Sequence, residues 1–267
     1  MDFTNLRRFF DNMALKHTPG NAVEFYLNGE SVFRYEAGYS NLESKTPLNG
    51  KEMYNIYSCS KIATVVAGAQ MLERGDFLLN EPLYAYIPEF KHMYVKDTTG
   101  NLKEAKNPIT IGDLFSMTAG FTYDFNSHGF QKARELTKGK MDEYDSGGAG
   151  IITTVSDYAK LMAALANYGT GVNGERILSK YTVNLMRTNR LTTQQQSDFS
   201  WKQLAGCGYG LGVRTHTLPE KSGLICRLGE FGWGGAAGAT AIVDPEIDLG
   251  VFYVQHTLNP REEYSCL

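Results

Sequence analysis

The sequence predicts an α/β fold of the α+β type, with one antiparallel β-sheet drawn from both chain ends and helices from the middle flanking it. Three observations carry this expectation. Near the N-terminus Val23, Phe25 and Leu27 alternate up to Asn28-Gly29, and Val32 and Arg34 continue the alternation, the pattern of a hairpin closed by an Asn-Gly turn. In the last third, residues 209–213, 224–228, 237–243 and 249–255 read as strands separated by turns such as Asp244-Pro245, so neighbours should pair antiparallel. Between these ends lie apolar stretches of helical period that open on Ser or Thr caps.

Taken in order, Phe3, Leu6, Phe9, Phe10 and Met13 define a first helix that Pro19-Gly20 stops. A polar loop follows the hairpin and leads to Tyr54 and Tyr57. Ile62, Val65, Val66, Ala69 and Leu72 then form the stripe of a second helix, with Gly75 placed as its C-cap. Thr110 and Asp113 form a capping box for a short helix through Met117 that ends at Ala119-Gly120. Residues 121–150 are the least regular part of the chain. Thr154 and Asp157 cap a helix through Tyr158, Leu161, Leu165 and Tyr168 to Gly169, and a shorter helix begins at Ser179. Residues 192–206 are polar, lack a period and read as a surface loop. No internal repeat is visible, and the length suits a single domain, with its sheet part at about 1–50 and 205–267 and its helical part at about 51–204.

Composition narrows the function. The 267 residues carry 26 Lys and Arg against 29 Asp and Glu, a net charge of −3, so no basic excess exists to neutralise phosphates and no nucleic-acid partner is expected. No apolar run is long enough to span a membrane, so no membrane partner is expected. The start, Met1-Asp2-Phe3-Thr4, lacks a signal region, which makes the cytoplasm the expected location. Cys59, Cys207, Cys226 and Cys266 form no Cys-x-x-Cys pair, and His17, His92, His128, His216 and His256 show no ligand spacing. No metal and no cofactor are expected.

One stretch has chemistry written into its spacing. In Tyr57-Ser58-Cys59-Ser60-Lys61, Ser58 and Lys61 lie one helical turn apart on one face, at a helix start whose unpaired N–H groups favour developing negative charge. A serine becomes a nucleophile when a neighbouring base takes its proton, and a desolvated lysine is a candidate base. The alternative is an N-cap serine followed by a solvated lysine. Cys59 reads as a buried, inert thiol.

Five segments in order extend this pair. Tyr57 to Lys61 is the first; Ile109 to Gly120, ending Met117-Thr118-Ala119-Gly120, is the second; Gly147-Gly148-Ala149-Gly150 running to Tyr158 is the third. Gly208 to Val213 and Phe231-Gly232-Trp233-Gly234-Gly235 complete the set. With these segments the chain resembles the serine β-lactamase and penicillin-binding-protein superfamily, in the class C branch that includes class C β-lactamases, DD-peptidases and family VIII carboxylesterases. The resemblance implies a β-lactamase/transpeptidase-like fold and a serine hydrolase working through an acyl-enzyme on esters or β-lactam-like amides. Ser58 would be the nucleophile and Lys61 its helper. The backbone N–H groups of Ser58 and Ala236 would form the oxyanion hole, and Trp233, Gly234 and Gly235 would line the substrate cleft. Trp233 stands where β-lactamases carry a lysine, and its alternative reading is an ordinary core or rim aromatic.

The chain departs from the family between Tyr123 and Tyr144. There the family has a long segment of its helical half with a Tyr-x-Asn motif that supplies an acid/base tyrosine, and this chain passes the interval in about twenty residues. A reduced helical half and slow turnover follow as expectations. Tyr144 is the candidate replacement, or else a loop tyrosine. The vacated side, near residues 121–146, would expose apolar surface and favour a homo-oligomer. The other reading of the whole chain is a catalytically impaired binding or acyl-trapping relative.

Overall fold

Alternation at both chain ends produces one large sheet in the structure, a computed structural model that describes residues 1–96, 99–121, 146–199, 201–255 and 257. The strands in chain order are β1 (Gly20–Leu27), β2 (Glu30–Asn41), β3 (Thr46–Pro47), β4 (Tyr54–Asn55), β5 (Tyr94–Lys96) and β6 (Leu102–Glu104). They continue with β7 (Ile152–Thr153), β8 (Cys207–Tyr209), β9 (Arg214–His216), β10 (Phe231–Gly234), β11 (Thr240–Asp244) and β12 (Leu249–Gln255). Eight of them form the antiparallel sheet in the order β3-β2-β1-β12-β11-β10-β9-β8, so the two chain ends meet where β1 pairs with β12. The β1–β2 turn places Asn28 at φ 52° and Gly29 at φ 75°, both positive as a type I′ hairpin requires.

Each face of the sheet is covered by a different helix. Helix α1 (Thr4–Lys16) lays Phe10 against Val23, Phe33, Val251 and Tyr253, with the Phe10 and Tyr253 rings 5.7 Å apart. The Val155–Ala166 helix covers the other face, where Tyr158 packs on Phe252 at 4.5 Å. A Cβ on Gly250 would lie 2.6 Å from the Met162 backbone, so glycine is what lets this helix lie close to β12. Helix α2 (Ser60–Arg74) buries Ile62, Val65, Val66 and Ala69 and ends at Gly75 with φ 76°, the left-handed cap its sequence foretells.

The fold divides into two compact units, Met1–Asp76 with Gly147–Leu267, and Phe77–Ser146. The first holds the large sheet, α2 and the Val155–Ala166 helix. The second holds the β5–β6 hairpin and α3 (Ile111–Phe115), which opens on a complete Thr110–Asp113 capping box. Inside it Gly112 N–H donates to the Leu79 carbonyl at 2.7 Å, and Phe77 stacks on Phe115 at 5.9 Å.

Several strand expectations need correction. Residues 210–213 are a turn. Gly210 N–H donates to the Val213 carbonyl, Leu211 N–H donates to the Met186 carbonyl at 2.8 Å, and a Cβ on Gly210 would lie 1.9 Å from that carbonyl oxygen, so Leu211 and Val213 are buried without strand pairing. Residues 224–228 are a loop with Ile225 fully exposed, because β9 pairs with β10 and leaves this apolar run no neighbour. Strand β11 starts only at Thr240, since Gly235 to Ala239 close a turn with Gly238 at φ 86°. Within 192–206, expected as a loop, Thr192 and Gln195 form a capping box for the Thr193–Asp198 helix. That helix buries no residue, which is why no apolar period announced it.

His216 on β9 is buried, with Nδ1 3.4 Å from Cys207 Sγ and Nε2 3.6 Å from Glu230 Oε1. Burial, with Arg214 adding repulsion, lowers its pKa from 6.5 to about 4. The unfolded chain therefore takes up the proton first, and the stability that neutral His216 contributes is fully present above pH 6.5 and lost as the pH falls through about 4. Burial raises the Glu230 carboxyl, which acts in the opposite sense at the acid end. We expect the wild-type unfolding free energy, relative to His216→Gln, to fall by up to about 1.4 kcal/mol per pH unit across that window. Urea unfolding at pH 7, 6 and 5 checks this, and parallel curves for the two proteins would refute it.

Candidate active site

The site is built on one strained residue. β4 pairs with β7 through Tyr54–Thr153 and Asn55–Ile152, and the chain then turns sharply at Tyr57, whose φ is 45°. A non-glycine residue there costs about 1–2 kcal/mol. Asn55 Oδ1 accepts the Tyr57 N–H at 3.0 Å and helps hold the turn. A single 3₁₀ turn, Tyr57–Cys59, feeds directly into α2 and sets Ser58 at the helix's positive end.

Lys61 lies one turn along. Its Nζ donates to Ser58 Oγ at 2.8 Å and to the Gly148 carbonyl at 3.0 Å. Among the described residues no carboxylate pairs with it. The glycine turn runs alongside α2. Thr64 Oγ1 donates to the Gly147 carbonyl at 2.6 Å, and Ser60 Oγ accepts the Ile151 N–H at 3.0 Å. A Cβ on Gly147 would sit 3.1 Å from Thr64, so a small residue is what fits beside α2 there.

The end of β10 closes the other side. The Trp233 carbonyl accepts the Cys59 S–H at 3.4 Å, and the Cys59 carbonyl accepts the Tyr158 hydroxyl at 2.5 Å. Cys59 is fully buried, and burial pushes its thiol up to about 12, so it is an inert packing group, as its setting suggested. Burial likewise raises the Tyr158 hydroxyl, which keeps it a neutral donor. A Cβ on Gly235 would lie 2.2 Å from the Ile56 carbonyl, so β10 touches the backbone that leads into Ser58. Gly234 and Ala236 are exposed and Trp233 is half-buried. Among the described residues, neither the Ser58 nor the Ala236 N–H has a backbone acceptor.

Ser58 and Lys61 are therefore brought together, and the Trp233–Ala236 stretch is joined to the turn that carries Ser58. Tyr144, and the face near residues 121–146 expected to drive self-association apart from its two end residues, lie outside the described residues. Two contributors were missed by sequence reasoning. Asn55 was passed over in the stretch that leads into Ser58, and the Gly148 carbonyl was seen only as part of a glycine turn. A backbone acceptor leaves no side-chain signature. No group of three or more His, Cys, Asp or Glu residues able to hold a metal occurs among the described residues, and no described helix is long and apolar enough to cross a membrane.

The antiparallel sheet flanked by helices is a β-lactamase/transpeptidase-like fold. A family model described as Beta-lactamase matches residues 6–138 and 126–265, and the chain belongs to that family. Protein Rv1367c of Mycobacterium tuberculosis (strain ATCC 25618 / H37Rv) is 24% identical over 328 positions, covering 83% of this chain and 82% of that protein. That alignment is longer than the 267-residue chain, so the relative carries residues with no counterpart here. Among solved structures, EstCE1, "a hydrolase with promiscuous acyltransferase activity", superposes with a TM-score of 0.80 at 15% identity, covering 99% of this chain and 96% of its own. Simvastatin synthase (LovD) from Aspergillus terreus gives 0.77 at 16%, with the same coverage. At these identities the likeness is one of fold.

Gly235→Ala tests the seat of the turn. The added methyl has to separate β10 from Ile56, and we expect a loss of about 1–3 kcal/mol in urea unfolding. An unchanged midpoint would show that the strand end is not packed against the turn.

Proposed function

We propose that the chain is a serine hydrolase or acyltransferase that works through an acyl-enzyme at Ser58, on a small-molecule ester or β-lactam-like amide. The observation that carries this reading is the 2.8 Å contact between Lys61 Nζ and Ser58 Oγ at the start of α2. Lys61, in its amine form, takes the hydroxyl proton as Ser58 Oγ attacks the substrate carbonyl carbon. The N–H groups of Ser58 and Ala236 receive the oxyanion. Collapse breaks the bond to the leaving alcohol or amine, which departs with the proton. Water, or an acceptor alcohol, then attacks the acyl carbon and frees Ser58. Trp233, Gly234 and Gly235 line the strand along which substrate lies.

Turnover is slow in this reading, because the family's acid/base segment has too little chain here to hold it. Tyr144 is the group proposed to stand in. The acyl-trapping alternative is the limit in which nothing stands in and deacylation fails. Esters are preferred over β-lactams, since Trp233 offers no cation to pair with a lactam carboxylate.

Ser58→Ala is expected to lower p-nitrophenyl butyrate turnover by at least about a hundredfold, as removal of a nucleophile does. Turnover equal to wild type would overturn the assignment. In the same assay series, nitrocefin turnover is expected to stay below short-chain ester turnover; the reverse order would refute the preference.

A further inference from the structure

Three aromatic rings touch in series, beginning with Trp233 at the end of β10, whose carbonyl holds Cys59. Trp233 stands edge-on to Tyr209, with centroids 5.1 Å apart and planes at 85°. Tyr209 stands edge-on to Phe199, at 5.7 Å and 71°. The middle ring is buried, whereas Phe199 and Trp233 are each half-buried.

Strand register fixes which way Trp233 points. It pairs with Ala241, which pairs with Phe252, and Phe252 packs on Tyr158. Directly opposed residues share a face, so the register sets Trp233 with Phe252, whereas Tyr209, opposed to Arg214 and through it to Gly232, starts from the other face; the two rings meet beyond the last β9–β10 pair, Gly232–Arg214. The Trp233 carbonyl holds Cys59, the residue after Ser58.

Phe199 is delivered there by an element with no core of its own. It is the C-cap of the Thr193–Asp198 helix, which buries nothing. Polar bonds tether that helix. Gln196 Nε2 donates to the Cys207 carbonyl at 2.7 Å, and Asn189 Nδ2 donates to Gln196 Oε1 at 3.2 Å. Core aromatics such as Phe231 and Phe252 are fully buried, whereas the two rings at the ends of this series are only half-covered. Rings already fixed by their neighbours offer apolar surface at little entropic cost to a ligand.

We infer that Phe199 and Trp233 form an apolar wall that receives an aryl or extended alkyl group of the ester bound at Ser58, and that Phe199 sets the preference for such a group. The inference rests on the acyl-transfer reading. The group belongs to either the acyl or the alcohol half of the ester, and the two arms of the test separate them.

The chain has two tryptophans, and Trp201 is exposed and outside this series, so in Trp201→Phe the fluorescence reports on Trp233 alone. In that background 4-phenylbutyrate (acyl arm) or benzyl alcohol (alcohol arm) is expected to quench saturably, where acetate and ethanol do not. Adding Phe199→Ala should weaken the quenching ligand about five- to tenfold. In parallel, pH-stat rates are compared for ethyl acetate, ethyl 4-phenylbutyrate and benzyl acetate. Phe199→Ala is expected to lower the kcat/KM ratio to ethyl acetate about tenfold for whichever ester carries its phenyl group on the wall. Ratios and dissociation constants that Phe199→Ala leaves unmoved would overturn the wall. Saturable, Phe199-dependent quenching without any ester turnover would instead uphold the wall and overturn the acyl-transfer reading. Thermal melting of each variant confirms that it is folded.

Discussion

No side chain fits between the end of β10 and the carbonyl of Ile56, and that close backbone approach positions everything else at the site. Gly235 permits it, and the Cys59 thiol reaching the Trp233 carbonyl reinforces it. With the turn seated on the sheet, Tyr57 is held in a conformation that a free chain would leave, and the surrounding packing outweighs a strain of about 1–2 kcal/mol. Tyr158 completes the seat by joining the carbonyl of Cys59 to a ring packed against Phe252 of β12. The nucleophile candidate thus rests between buried residues, Ile56, Cys59 and Tyr158, which suits a site that needs fixed geometry more than adaptability.

Around this seat the polar groups are few, and most of those described are satisfied. The Gly147 and Gly148 carbonyls take the Thr64 hydroxyl and the Lys61 amine, and the hydroxyl of Ser60 takes the N–H of Ile151. Each bond contributes about 1 kcal/mol on its own, yet together they fix the segment that leads into β7 and the Val155–Ala166 helix. Two N–H groups, those of Ser58 and Ala236, stand apart from this accounting. Among the described residues they have no backbone acceptor, and a developing oxyanion is the kind of partner such donors suit.

Much of this was legible in the chain, for reasons that differ by element. Helices with an apolar stripe and a capped end, such as α2 with Gly75 and the Val155–Ala166 helix with Thr154, announce themselves because burial and capping both leave marks in sequence. The Asn28-Gly29 hairpin does so because only a few residues tolerate its backbone. The glycine-rich stretch at 210–213 misled because its apolar residues are buried without pairing, and the Thr193–Asp198 helix was silent because it buries nothing. At the site, the Ser58–Lys61 spacing was visible, while the Gly148 carbonyl and the left-handed turn at Tyr57 were not. A backbone oxygen and a φ angle depend on tertiary contacts that no local pattern records.

The account turns on whether Ser58 becomes acylated with the help of Lys61. Rapid acid quench after mixing with p-nitrophenyl butyrate, followed by intact-protein and peptide mass spectrometry, addresses this directly. The account predicts a single butyryl adduct on the peptide containing Ser58, absent in Ser58→Ala and strongly reduced in Lys61→Met. Ester turnover with no adduct at Ser58, or an adduct formed equally well without Lys61, would contradict it.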